Sequence, residues 1–272
     1  MNNIRFFDSN VYIGRSAVPR HSIVSTPAEL CAHMERIRLE RALVFHKEAL
    51  NDPVFGNELL LSQIKDFPSL TGCAVLAPHA SGEFGNIREY FRTLFKHGIK
   101  AIRLFPNVHS YTLKPYVIGG VLDEAAAFGM PVIIDCVSRD GIGTVDSTWD
   151  FFPDCDGIYE LAKLWNNVNF IVAIPGMTSQ RQQYAILDAC PNVHLETGAY
   201  SYRFIENVCR LFSADRLIFG SYMPVVDPAA GMTGILYANI SDEEKAKIAG
   251  GNLERLISKV GAGGQILSGG AV

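Results

Sequence analysis

The sequence predicts an α/β protein, a single (β/α)8 TIM barrel. Short apolar, β-branched runs alternate with longer stretches of helical periodicity, eight of each, along the 272-residue chain. The runs are continuously apolar rather than alternating, which suits a parallel sheet buried on both faces. A doubly wound open sheet would carry a Gly-rich phosphate turn after its first strand. Here that stretch reads Asp8-Ser9-Asn10-Val11-Tyr12-Ile13-Gly14, with no G-x-G-x-x-G.

The first predicted strand is Ile4-Arg5-Phe6-Phe7. The helix after it opens at Thr26-Pro27-Ala28-Glu29, with Thr at the N-cap, Pro at the first helical position and an acid in the first turn. Leu30, Met34 and Ile37 then recur at i, i+4 and i+7, the spacing of a buried stripe. Strands two to four are expected at 42–45, 72–76 and 101–104, with helices near 57–66, 86–97 and 118–128. Strands five to eight follow at 132–134, 170–173, 193–195 and 217–219, with helices near 157–165, 179–189 and 202–212. A last helix starts at Ser241-Asp242-Glu243-Glu244, again a cap followed by acids. His97-Gly98, Phe128-Gly129 and Asn166-Asn167 read as helix ends leading into the next strand. Residues 1–260 form one barrel domain, and the Gly-rich tail 261–272 is expected to fray.

Composition narrows the function. Apolar residues make up 48 % and charged residues 19 %, enough for a large core. Lys and Arg number 24 against 28 Asp and Glu, a net charge of −4 with no basic stripe, so a nucleic-acid partner is not expected. No apolar run reaches the roughly 18 residues of a membrane span. The opening Met1-Asn2-Asn3-Ile4-Arg5 leads straight into a strand-like run, so no secretory signal is read and a cytoplasmic protein is expected. The six cysteines form no C-x-x-C pair and suit a reducing compartment.

In such a barrel the working residues sit at the C-terminal strand ends and in the loops that follow. That selects Asp8, Asn10 and Tyr12 after strand one, His46 and Lys47 after strand two, and His79 after strand three. Strand four supplies Arg103, with Asn107, His109 and Tyr111 in its loop; strand five ends at Asp135 and Cys136. Strand seven ends at Glu196 and strand eight at Ser221 and Tyr222, while Ile174-Pro175-Gly176 after strand six offers no polar side chain. His46, His79, Asp135 and Tyr222 are the candidate catalytic set, moving protons while Arg103 holds a carboxylate bidentately. Asn10, Tyr12, His109 and Glu196 complete the candidate substrate-binding set with Arg103.

Blander roles stand beside these. A buried Arg103 is costly unless paired, so Asp135 is its structural partner in the alternative reading. Asp8 and Glu196 then hold loop amides or pair with Arg103. His46 and His79 are equally readable as hydrogen-bonded loop histidines. Strand alternation turns Cys136 toward the helices, as a packing thiol. Trp149, Phe151 and Phe152, between Asp146 and Asp156, form either an apolar lid over the mouth or a docking patch for another subunit.

Several phrases in order along the chain resemble one family. They are Phe6-Phe7-Asp8-Ser9-Asn10-Val11-Tyr12-Ile13-Gly14, Gly98-Ile99-Lys100-Ala101-Ile102-Arg103-Leu104, Phe128-Gly129-Met130-Pro131-Val132-Ile133-Ile134 and Asn169-Phe170-Ile171-Val172-Ala173. Pro191-Asn192-Val193-His194-Leu195-Glu196-Thr197 and the closing Ile248-Ala249-Gly250-Gly251-Asn252-Leu253-Glu254-Arg255-Leu256 add to them. The most specific is Ala214-Asp215-Arg216-Leu217-Ile218-Phe219-Gly220-Ser221, with Pro224 after it. Together they resemble the amidohydrolase-related, metal-dependent hydrolases of the TIM-barrel fold.

The family pattern implies His-x-His at the end of strand one, a His after strand five, a His after strand six and an Asp after Gly-Ser at strand eight. This chain has Asn10-Val11-Tyr12, Asp135, Ile174 and Tyr222 there. A catalytic zinc needs about three nitrogen, sulfur or carboxylate ligands plus an open position. Without it, water keeps a pKa of about 15.7 instead of about 7. The resemblance with these departures implies a divergent member that binds a small, carboxylated molecule and performs hydrolase- or lyase-type chemistry without the usual zinc site and without a cofactor. Two alternatives remain: a pseudoenzyme that binds without turnover, or a hydrolase with Mg²⁺ or Mn²⁺ on Asp8, Asp135 and Glu196. Pairing as a homodimer is compatible with the fold.

Overall fold

The structure is a computed structural model and describes residues 4–15, 24–135, 155–173, 180–198 and 200–261. Its strands are β1 (Phe7–Ile13), β2 (Arg41–His46), β3 (Leu70–Leu76), β4 (Ile99–Leu104), β5 (Val132–Asp135), β6 (Phe170–Ala173), β7 (Val193–Glu196) and β8 (Leu217–Ile218). They pair in sequence order, and every pair is parallel. Past the end of β8 the chain returns to β1. The Ser9 N–H donates to the Phe219 carbonyl at 2.9 Å, the Tyr12 N–H to that of Met223 at 3.1 Å, and Val11 forms an isolated bridge with Met223. These bonds bring the two edges of the sheet together, as a (β/α)8 barrel requires.

The helices are α1 (Pro27–Ile37), α2 (Pro53–Ile64), α3 (Ile87–Lys96), α4 (Pro115–Phe128), α5 (Cys155–Leu164), α6 (Gln180–Ala189), α7 (Tyr202–Leu211), α8 (Pro228–Tyr237), α9 (Asp242–Ala246) and α10 (Asn252–Ile257). The start read at Thr26 is a full capping box, in which the Thr26 hydroxyl accepts from the Glu29 N–H and the Glu29 carboxylate accepts from the Thr26 N–H. Ser241 and Glu244 repeat it at α9. Among the described residues no helix is long and apolar enough to cross a membrane.

Two expectations change. The first strand begins at Phe7 and runs to Ile13, so Asp8, Ser9 and Asn10 are strand residues rather than a turn. All three are buried, and a register shift between Asp8 and Val11 interrupts the pairing with β2. Polar side chains hid this strand because their partners lie across the barrel, beyond the reach of local pattern. Helix α8 was also missed, since Gly231 and Gly234 dilute its helical signal, although Asp227 caps it and Pro228 opens it.

Inside the barrel, inward positions step up each strand two residues at a time. The lower layers hold Phe7, Leu43, Cys73, Ala101, Ile133, Ile171 and Ile218, and α10 closes this end with Leu253, Leu256 and Ile257. The next inward positions on β4, β5 and β7 are Arg103, Asp135 and Glu196, all buried. Above them Tyr12, Phe45, Val75 and Phe105 form a separate apolar cluster. Cys31, Cys73, Cys155, Cys190 and Cys209 are free thiols. Cys136, the aromatic segment with Trp149, Phe151 and Phe152, Ile174 and the tail from 262 lie outside the described residues.

Candidate functional site

Arg103 stands on β4 and points into the barrel with no exposed surface. Its Nη1 donates to Asp135 Oδ2 and to Asn10 Oδ1, each at 2.8 Å, and its Nη2 donates to the Ser9 carbonyl at 2.8 Å. The Glu196 carboxylate lies 3.8 Å from the same Nη2. Phe45 and Phe105 face the guanidinium, with ring centroids 5.0 and 5.9 Å from Cζ. Burial works against the charge, but Asp135 and then Glu196 hold the group above its ordinary value, so Arg103 is a fixed cation. Of the two roles weighed for it, pairing with Asp135 is the contact present.

Glu196 ends β7. Its Oε1 accepts from the Ser9 hydroxyl at 2.8 Å and its Oε2 from the Asn10 side-chain amide at 2.9 Å. Burial pushes its carboxyl up to about 7, outweighing Arg103, Asn10 and Ser9, which all pull it down. Gly220 makes the room. A Cβ there would lie 2.6 Å from Glu196 Cδ and 2.6 Å from Ser9 Oγ, so any side chain would displace the carboxyl. Asp8 does the bland job foreseen for it, since its Oδ1 accepts from the backbone N–H groups of Asn10 at 3.0 Å and Ser221 at 2.9 Å, joining β1 to the end of β8. Its own carboxyl is raised by burial to about 6.

In front of Glu196 lies a cavity of about 290 Å³, lined by Asn10, Glu196, Gly198, Gly220, Ser221 and Tyr222, with Val226 on its apolar side. It sits at the ends of β1, β7 and β8, the face where barrels of this kind keep their chemistry. Its volume is at the small end for organic ligands. Glu196 is the carboxyl on its lining, and a group raised to about 7 is one that can give or take a proton near neutral pH.

Of the candidates read from the sequence, Asn10, Arg103, Asp135 and Glu196 come together in one network. Tyr222 lines the cavity with φ 64°, and its ring lies 6.3 Å from that of Tyr12, which in turn lies 5.6 Å from Phe45. His109 lies edge-on to Phe105 at 6.3 Å. The histidines of strands two and three stand apart from the network. His46 Nδ1 accepts from the Glu48 N–H at 3.1 Å, capping the turn after β2, and burial lowers its pKa. The His79 ring packs on Gly120 of α4, where a Cβ would meet it at 2.2 Å. Sequence reasoning missed Ser9, Gly198, Gly220 and the aromatic pair Phe45 and Phe105. Strand alternation carried up from Leu43 and Ala101 would have found the aromatics; the glycines act through absent atoms, and Gly220 entered only as part of the Gly-Ser phrase.

Among the described residues, no three His, Cys, Asp or Glu side chains form a group that could hold a metal ion. Asp8, Asp135 and Glu196, weighed together as a carboxylate set, are spread instead between backbone amides, Arg103 and Asn10.

A sequence model of the amidohydrolase family matches residues 57–258, from α2 to the end of the barrel. The chain belongs to the amidohydrolase family. No curated protein matches it. Solved structures give the same barrel. An uncharacterised TIM-barrel protein from Bordetella bronchiseptica superposes with a TM-score of 0.72 at 15 % identity, over 94 % of this chain and 99 % of that one. A 2,6-dihydroxybenzoate decarboxylase from Rhizobium gives 0.72 at 13 % identity, over 93 % and 98 %. A 5-carboxyvanillate decarboxylase from Novosphingobium aromaticivorans, complexed with manganese and 4-hydroxy-3-methoxy-5-nitrobenzoic acid, gives 0.75 at 12 % identity, over 94 % and 96 %. Within this amidohydrolase-family barrel, the Gly220-Ser221 phrase that carried much of the resemblance frames the cavity, and Tyr222 after it forms part of the wall.

Proposed function

We propose that this barrel binds a small carboxylated aromatic molecule in the mouth cavity and acts on it by lyase-type chemistry, with Glu196 as the proton-transferring group. The observation that carries the reading is the position of Glu196, a buried acid on the cavity wall with its carboxyl raised to about 7. A neutral carboxylic acid donates a hydrogen bond to a substrate carboxylate where an ionised one would repel it. The solved structures named as decarboxylases of carboxylated phenols support the same substrate class by analogy of fold.

Glu196 delivers its proton to the ring carbon that bears the carboxylate; the bond between that carbon and the carboxyl then breaks, returns its electron pair to the ring and releases carbon dioxide. Asn10 and Ser9 hold the Glu196 oxygens in place, and Arg103 stabilises the carboxylate left behind. Tyr222 and Val226 give the ring an apolar wall.

The family resemblance implies a divalent metal, and the residues present do not fit one. Asn10, Asp135 and Tyr222 stand where the family's ligands are expected, and a guanidinium already draws on the oxygens that a hard ion would need.

A panel of hydroxy- and methoxy-substituted benzoates, incubated with the protein in D₂O, tests the reading. Expected is release of carbon dioxide with one deuterium on the product ring, lost in Glu196→Gln. A panel in which no member binds would overturn it. Binding without turnover would favour the second reading, a ligand-binding barrel. That alternative draws on one observation, that the Nη donors of Arg103 are taken up by Ser9, Asn10 and Asp135.

A further inference from the structure

We infer that the Arg103 guanidinium is a built-in substitute for a divalent cation at the centre of the barrel mouth, and that the site it fills rejects metal. The inference concerns the cluster itself and stands whatever the substrate proves to be.

Three features point the same way. First, the ligand shell is one a hard cation would use. Asp135 Oδ2, Asn10 Oδ1 and the Ser9 carbonyl oxygen each lie 2.8 Å from the guanidinium, and Glu196 Oε1 is 3.8 Å away. These are carboxylate, amide and backbone oxygens from β1, β5 and β7, the donor types that Mg²⁺ and Mn²⁺ prefer. A small divalent ion would draw such oxygens to about 2.0–2.1 Å, so it and the guanidinium cannot occupy this place together.

Second, the remaining surroundings suit guanidinium and not a metal. Phe45 and Phe105 cover Cζ at 5.0 and 5.9 Å. A planar, weakly hydrated cation gains from aromatic faces, whereas a divalent ion that keeps several waters would lose them there.

Third, the charge is delivered by the fold. Arg103 rises from near the C-terminal end of β4, paired in register with Ile133 on β5, so its head reaches the network from the wall of the barrel. Chelators cannot remove such a cation, and its geometry is set by the strand register. Arg103 is therefore a positioning residue, holding Asn10 and Asp135 directly and Glu196 through Asn10.

The test is metal exchange on the intact chain. Wild-type protein is equilibrated with Mn²⁺ or Zn²⁺, desalted, and measured for metal content and thermal stability. Expected are sub-stoichiometric metal and an unmoved Tm. Arg103→Ala opens the oxygen shell, and this variant should have a lower Tm, retain Mn²⁺ and recover part of its loss when Mn²⁺ is added. Adding Asp135→Asn should abolish that recovery. Arg103→Lys keeps a cation on the same strand and should stay indifferent to Mn²⁺, which preserves the test if Arg103→Ala does not fold. Stoichiometric metal in the wild type that Asp135→Asn or Glu196→Gln removes would overturn the inference. So would a folded Arg103→Ala with no response to Mn²⁺, or an Arg103→Lys that binds it.

Discussion

The two ends of the barrel interior are built by opposite rules. Below, Phe7, Leu43, Ala101, Ile133, Ile171 and Ile218 pack as a dry plug sealed by Leu253, Leu256 and Ile257 of α10. Above, one step along the same strands, the inward positions become Arg103, Asp135 and Glu196, tied together by Ser9 and Asn10. The lower half needs only volume and apolarity, and it tolerates no gap. The upper half must satisfy each buried charge by direction and distance, and it leaves a cavity in front of Glu196. The apolar plug and the polar network are thus separated along the barrel axis by one step of the inward pattern.

Substitutions break that contrast in graded ways. Arg103→Ala leaves Asp135 as a buried charge without its counter-ion and should cost about 3–5 kcal/mol in denaturant unfolding, together with any ligand binding. Leu256→Ala in the lower plug should cost about 2–5 kcal/mol, yet leave ligand affinity unchanged. A matching loss of affinity would mean that the two halves are not separate. Gly220→Ala places a methyl against Glu196 and Ser9 and should cost about 1–3 kcal/mol by overpacking. Unlike Leu256→Ala, it should also abolish binding in the cavity, measurable by calorimetry with the best benzoate of the panel.

The halves also respond oppositely to pH. Burial raises Glu196 from 4.5 to about 7 and Asp8 from 3.8 to about 6, so the folded state holds protons that the unfolded chain has released. Their contribution is full below the ordinary carboxylate values and is lost as pH rises toward 6 and 7. At the lower end His194, bonded to the Asp215 carbonyl and to Asn169, is lowered by burial from 6.5 to about 3. Its contribution has the other sign, present above 6.5 and lost as pH falls. Glu196→Gln should therefore steepen the rise of stability with pH between 4.5 and 6.5, read from urea midpoints across that range. A profile unchanged by this substitution would mean that Glu196 titrates normally. Smallest of all, Thr26→Ala removes the α1 cap far from either half and should cost about 1 kcal/mol with no change in binding.

The sequence was most legible where local rules decide the outcome. The order of the eight strands, the caps at Thr26 and Ser241 and the family phrases all rest on neighbours within a few residues, and they matched. Four members of the polar network were also visible, because Asn10, Arg103, Asp135 and Glu196 fall at or just after predicted strand ends; Ser9 was not. What could not be read was who bonds whom. Asp8 looks like a ligand until Ser221, 213 positions away in sequence, is found donating to it. His46 and His79 looked equivalent to the network residues, yet one caps a turn and the other packs on α4, choices set by loop geometry rather than residue type. The extent of β1 was misread for the same reason, since its polar centre is stabilised only by partners across the barrel.

The protonation of Glu196 is the point on which the account turns, and ¹³C NMR of glutamate-labelled protein reads it directly. One side-chain carboxyl signal should titrate with a midpoint near 7 and vanish in Glu196→Gln. A spectrum in which Glu196 is fully ionised by the ordinary glutamate range, about 4.3 in model peptides, would contradict the proposal that this carboxyl delivers the proton.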